Sequence, residues 1–184
     1  MVTWEPGRVT EPVVDASPDA LRIRPMRRRH LSAVLRIEEA TNGHPWSREL
    51  FANELLHPGS RHYRVALVGP QVVGFGGLMQ VADEGHITTM AVDEHFRRRS
   101  IGARILLGLV ECAAAAQILD LTLEVRASNE PAQTLYRRFG FAPEGVRPRY
   151  YRSPTEDALI LWARGISRPA YLRRLEAIRA TLAK

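Results

Sequence analysis

The run from Gly85 to Gln117 constrains the fold more than any other part of the chain. Gly85-His86-Ile87-Thr88-Thr89-Met90-Ala91-Val92 has the β-branched and apolar content of a strand, and Ile101, Ile105, Leu109, Cys112 and Ala116 then recur at helical spacing as far as Gln117. Arg97, Arg98 and Arg99 stand in the short turn between the two. A strand that passes into a helix over a few residues aims unpaired N–H groups and the positive end of the helix dipole at whatever lies at the turn. Three guanidinium groups add charge-assisted hydrogen bonds, so the turn suits a diphosphate. A solvated charged loop has the same pattern, and the turn alone does not separate the two.

The flanking sequence supplies the rest of a sheet. Leu21 to Arg24 alternates as a short strand, and Arg28 to Ala40 spaces Leu31, Val34, Leu35 and Glu38 as a helix would. Ser47 is an N-cap type with Glu49 in the first turn, opening a second helix with Leu50, Phe51, Leu55 and Leu56 as its apolar stripe. Tyr63 to Val68 and Val72 to Val81 are strands joined by the turn dipeptide Gly69-Pro70. In the strand from Leu119 to Val125, Leu121, Leu123 and Val125 point one way while Thr122, Glu124 and Arg126 point the other. Asn129 and Pro131 open a helix that ends at Gly140, and two strands, Phe141 to Tyr151 and Asp157 to Trp162, close the sheet. The expected fold is α/β, a mixed and mostly antiparallel sheet of six to seven strands flanked by helices.

With 184 residues, 45% of them hydrophobic, the chain suits one domain. Residues 1–20, with three prolines and four acidic groups, read as a flexible tail; 21–163 form the domain, and 164–184 an amphipathic helical extension striped by Tyr171, Leu175, Ile178 and Leu182. No run reaches the roughly 18 apolar residues of a spanning helix, and the start lacks a basic segment followed by an apolar one, so a cytoplasmic protein without membrane contact is expected. A monomer is expected too. The net charge of +6 allows acidic partners. Its arginines are nevertheless spread along the chain rather than gathered with aromatics, so direct nucleic-acid binding is not the expected function. His57 and His62, five apart, do not make a paired zinc motif, and no metal dependence is expected.

Arg97-Arg98-Arg99-Ser100-Ile101-Gly102-Ala103 resembles the Gln/Arg-x-x-Gly-x-Gly/Ala turn of the GNAT superfamily of N-acetyltransferases, with Ser100 where the first glycine of the pattern stands. Asn129 to Phe141 is similar to the later segment of that family, Asn-x-x-Ala-x-x-Leu-Tyr-x-x-x-Gly-Phe, at every defined position. Within the superfamily, Pro45-Trp46-Ser47, the stretch from Leu123 to Asn129 and the pair Tyr150 and Tyr151 resemble the RimI group of ribosomal-protein alanine N-acetyltransferases. The likeness covers about residues 21–163.

The resemblance implies a splayed strand pair that holds acetyl-CoA and direct transfer of acetyl to an amine, here the N-terminal amine of a ribosomal protein. It assigns the cofactor to Met90, Ala91, Val92, Arg97, Arg98, Arg99, Ser100, Ile101, Gly102, Ala103 and Asn129, with a bulge near Met90 or Val92 freeing backbone donors for the thioester carbonyl. Glu124 becomes the base and Tyr136 the acid that protonates the departing thiolate; Trp46, Tyr150 and Tyr151 would line the peptide groove. The plain alternatives are a surface glutamate paired with an arginine, a core tyrosine, an N-capping asparagine and three packing aromatics. Two rival functions are acetylation of a small amine and a catalytically silent, basic ribosome- or RNA-binding module.

Overall fold

A computed structural model describes residues 20–183. The tail expected over residues 1–20 lies outside them except for Ala20, as does Lys184.

The elements follow as β1 (Leu21–Pro25), α1 (Leu31–Thr41), α2 (Arg48–Glu54), β2 (Arg61–Val68), β3 (Gln71–Val81), β4 (Glu84–Val92), α3 (Ile101–Ala115), β5 (Asp120–Arg126), α4 (Glu130–Arg138), β6 (Ala142–Arg152), β7 (Thr155–Ala163) and α5 (Pro169–Leu182). They build one seven-stranded sheet in the order β1-β2-β3-β4-β5-β7-β6. Every neighbouring pair is antiparallel except β4 and β5.

That exception shapes the molecule. β4 and β5 pair only through Glu84–Asp120, Gly85–Leu121 and His86–Thr122. Beyond that point each keeps its outer neighbour, β3 or β7, and the two strands part, as the splayed pair of the sequence expectation requires. The remaining edges of Ile87–Val92 and Leu123–Arg126 face each other across an open fork.

Two apolar cores lie on opposite faces of the sheet. One gathers α3, α4, α5 and the inner side chains of β5, Leu121, Leu123 and Val125, leaving Glu124 on the other side as the alternation predicts. The second joins α1 and α2 to β2 and β3 around Phe51, Tyr63 and Phe75. β3 carries Gly74 and Gly76 under α3 because the helix lies too close for side chains: a Cβ on either would stand within 3.0 Å of Ile105.

Three helical readings need correction. The first helix begins at Leu31, after a 3-10 turn over Arg28–His30, and buries Ile37 where Leu35 was expected. In α2 only Phe51 is buried; Leu50 and Leu56 are 40% and 59% exposed, because two turns of helix offer the sheet a single contact. α3 is buried around much of its girth rather than along one stripe, since α5 covers its outer side. Arg179 reaches Glu111 at 2.7 Å, and the Arg104 guanidinium donates to the Leu182 carbonyl. The Tyr171 hydroxyl donates to the Phe139 carbonyl at 2.7 Å, so the C-terminal helix docks on its own domain.

Candidate active site

The fork exposes backbone donors. Asp93 N–H donates to the Val73 carbonyl at 2.9 Å, which makes Val92–Gly74 a pair without direct bonds. Antiparallel alternation then turns the N–H groups of Val92 and Met90 away from β3 and into the fork, while Ala91 is bonded toward Phe75. The bulge itself lies at Thr88, where the register slips between Gly77–Thr89 and Leu78–Ile87. The expected position near Met90 or Val92 is thus two or more residues late. Those donors are free because β5 has diverged, not because the strand bulges beside them.

At the tip of β4, Asp93 is 5% exposed and anchors the turn, accepting from Arg36 at 2.9 Å and from His95 N–H at 3.1 Å. Burial opposes its ionisation, but these hydrogen bonds and the Arg36 charge outweigh burial and hold the carboxyl below the usual range. Arg97, Arg98, Arg99 and Ser100 are all exposed, and none of the three arginines forms an ion pair among the described residues. Arg104 N–H closes the first turn of α3 on the Ser100 carbonyl, so the N–H groups of Ile101, Gly102 and Ala103 point out of the helix start.

Ser100 sits at φ 57°, ψ 13°, the left-handed region that glycine occupies without cost, and its side chain does not cap the helix. A left-handed L-residue costs roughly 1–2 kcal/mol, against roughly 0.5–1 kcal/mol for the extra chain entropy of glycine. Ser100→Gly is therefore expected to raise stability by up to about 1 kcal/mol in thermal melting, with coenzyme A binding preserved or tightened. A clear loss of coenzyme A affinity in calorimetry would assign the serine hydroxyl a contact of its own.

On the opposite arm stands Glu124, with its side chain 10% exposed. Its Oε2 meets His86 Nε2 at 2.6 Å across the apex of the fork, and its Oε1 meets Arg147 Nε at 3.1 Å. The bond from His86 above all, then the charges of His86 and Arg147, hold the carboxyl below the usual glutamate range despite burial. The arginine pairing foreseen for a surface glutamate is present, on a carboxylate that is largely enclosed. Sequence alone assigns His86 only to its strand; the register that sets β4 against β5 joins it to Glu124.

Tyr136, on α4, is 7% exposed, and its ring meets Phe141 edge-on at 5.8 Å. Its hydroxyl has no hydrogen-bond partner among the described residues, and burial pushes its pKa up, so it keeps its proton. The two motif segments of the sequence meet here: a Cβ on Gly102 would lie 3.4 Å from Leu135 and 3.8 Å from Val92. Asn129 accepts from Ala132 N–H at 3.2 Å, the N-cap that α4 requires.

The sequence model described as Acetyltransferase (GNAT) family matches residues 31–141. The chain belongs to the GNAT acetyltransferase family. A Bacillus subtilis protein provisionally named [ribosomal protein bS18]-alanine N-acetyltransferase is 37% identical to it over 140 residues, 76% of this chain and 93% of that protein. The Salmonella typhimurium protein named [ribosomal protein bS18]-alanine N-acetyltransferase is 33% identical over 134 residues, 71% and 88% of the two chains. Among solved structures, the ribosomal-protein-S18-alanine N-acetyltransferase of Escherichia coli superimposes with a TM-score of 0.72 at 28% identity, covering 79% of this chain and 94% of its own. The chain is thus a GNAT acetyltransferase of the RimI type.

In this acetyltransferase the side of the fork bearing Glu124 also carries the tyrosine pair. Tyr150 is 49% exposed and lies 5.2 Å from Tyr151, at 87°. The Arg126 guanidinium stacks on Tyr151 at 4.0 Å, and burial pushes the Tyr151 phenol up to about 12. Trp46 packs on Phe51 at 5.3 Å and is half-buried.

One functional candidate of the acetyltransferase escaped the sequence reading. Glu38, counted there as part of a helix stripe, is 1% exposed and takes hydrogen bonds from Asn42 Nδ2 at 2.9 Å and Trp46 N–H at 3.2 Å, fixing the loop that carries Trp46. Burial pushes its carboxyl above the usual range, against those hydrogen bonds. An acid raised on folding stabilises most below its unfolded pKa, and that stability is lost as pH rises through the folded value. Glu38→Gln keeps an oxygen acceptor and removes the buried charge. The variant is expected to melt above the parent at pH 7, with the difference vanishing near about pH 4, the ordinary glutamate range.

The chain's own groups fit acetyl-CoA: outward N–H groups at Ile101–Ala103 beside three exposed arginines for the diphosphate, outward Met90 and Val92 donors along the fork, and the unpartnered Tyr136 hydroxyl.

Proposed function

We propose that this enzyme acetylates the α-amine of a protein N-terminus from acetyl-CoA, with the N-terminal alanine of ribosomal protein bS18 as substrate. The fork carries the reading: it sets helix-start donors, two free strand donors and an ionised carboxylate around one gap. The names of the Bacillus and Salmonella relatives supply the substrate.

Acetyl-CoA supplies a thioester, already activated toward an amine. The arginines of the turn and the N–H groups of α3 hold the diphosphate. Met90 and Val92 N–H groups donate to the carbonyl oxygen as it gains charge. Glu124 takes the proton of the α-ammonium, directly or through water, and His86 at 2.6 Å relays it toward solvent, being 31% exposed. The amine forms its C–N bond as the C–S bond breaks, without an acyl-enzyme; the nitrogen sheds its second proton by the same Glu124 path once His86 has passed on the first, and Tyr136 protonates the leaving sulfur and regains its proton from solvent. Because Glu124 stays ionised well below neutrality, kcat/KM should climb with the α-amine's own titration, near about 7.7–8.0.

A polycationic small amine suits the gap less well, since Arg126 and Arg147 border Glu124. Thiol release with acetyl-CoA and a panel of amines tests the reading. Alanine-initiated bS18 peptide should support it and the same peptide N-terminally blocked should not. Release with polyamines or aminoglycosides alone would move the enzyme to the small-amine class; no thiol release with any amine would overturn the enzyme reading.

A further inference from the structure

The fold gathers arginines that the sequence scatters. Arg22 and Arg24 on β1, Arg27, Arg29 and His30 in the turn that follows, and Arg36 on α1 line one cavity of about 660 Å³, closed on its far side by the β2–β3 turn. None of the described residues lining it is acidic. Three of the cations are partly committed, Arg36 to Asp93 at 2.9 Å, Arg22 to the Gly69 carbonyl at 2.8 Å and Arg29, through its Nε, to His30 Nε2 at 3.3 Å. The Arg22 Nε is buried with no partner among the described residues. Burial first, and then the charges of Arg29 and Arg27, hold the His30 pKa down, as an uncompensated positive field does.

Charges along an edge strand commonly serve to block sheet-to-sheet pairing, and β1 is an edge strand. That role needs cations on the strand alone. Here those of the following turn and of α1 converge on the same hollow. No Phe, Tyr or Trp lines it and the His30 ring is only 8% exposed, so it offers little surface on which a base could stack and suits a backbone of phosphates.

We propose that this cavity binds the phosphodiester backbone of RNA, seating the enzyme on an RNA-rich particle while the fork takes the protein terminus. The anion site stands on its own geometry; the choice of RNA rests on the ribosomal substrate proposed above.

Fluorescence anisotropy of the full chain with a labelled single-stranded RNA 20-mer tests it, with a DNA 20-mer beside it. Arg27→Glu/Arg29→Glu changes two exposed side chains outside the catalytic groups. Arg173→Glu/Arg174→Glu on the exposed side of α5 makes the same change of charge elsewhere. The parent should bind RNA in a salt-dependent way. The cavity variant should bind at least about tenfold more weakly, with a salt slope smaller by about 1.4 for two lost phosphate contacts, while the α5 variant stays near the parent. The cavity variant should acetylate free peptide at the parent's rate, which separates this inference from the activity itself. Absence of RNA binding at 50 mM salt, equal weakening in both variants, or a cavity variant that binds as the parent does would overturn it. Tighter binding to DNA than to RNA would overturn the choice of RNA.

Discussion

Glu124→Gln is expected to lower turnover by about 10²- to 10⁴-fold, the usual worth of a positioned general base, while leaving coenzyme A affinity within about twofold of the parent. Glutamine fills the same volume and can still accept from His86 or Arg147, so the fork should keep its shape. What it loses is the negative charge and the capacity to take a proton. The parent holds one carboxylate between two cationic or cation-forming groups, His86 at 2.6 Å and Arg147 at 3.1 Å. Neutralising it leaves their charge unbalanced beside the incoming ammonium, which should raise KM for peptide as well. Turnover should recover partly at high pH, where the amine arrives deprotonated and the base matters less. Steady-state kinetics from pH 6 to 10, with a melting curve to establish folding, makes the comparison; a variant as fast as the parent at neutral pH would remove Glu124 from the proton path.

Most strands and the helix carrying the turn were legible because each has a local cause: period-two alternation around Leu121 to Val125, the Ser47 and Asn129 caps, and glycine at the end of α4. Ser100 was legible as a departure from pattern, and its left-handed backbone explains why a glycine belongs there. What escaped depends on contacts between distant segments. His86 and Glu124 are 38 residues apart, and only the three-residue parallel pairing brings them together. Glu38 matched a helical stripe while being a buried carboxylate, since periodicity reports which face is covered and not what the covering loop donates. The basic cavity was hidden for the same reason: spacing along β1 and α1 does not show that both border one hollow.

Phe51→Ala is expected to cost about 3–5 kcal/mol, the range for removing a fully buried phenylalanine. For a domain of this size that lowers the melting temperature by roughly 6–20 °C. Phe51 is fully buried and stands at the centre of the second core, 5.3 Å from Trp46, 6.3 Å from Tyr63 and 5.6 Å from Phe75, nearly perpendicular to the last two. The void cannot close easily. Tyr63 is pinned by its hydroxyl, which donates to Glu54 at 2.9 Å, and Glu54 is held in turn by Arg61 at 2.9 Å. These bonds tie α2 to β2 from the far end and should keep the helix in place over the hole. Trp46 loses the ring it packs on, so the variant should show a raised KM for peptide with kcat changed much less, because Glu124 stands on the opposite arm of the fork, on β5. Phe51→Leu refills most of the volume and should recover both stability and KM in large part. A variant within about 1 kcal/mol of the parent would mean that the α1–α2 layer repacks freely, and the cost assigned to an unrelaxed cavity would not apply.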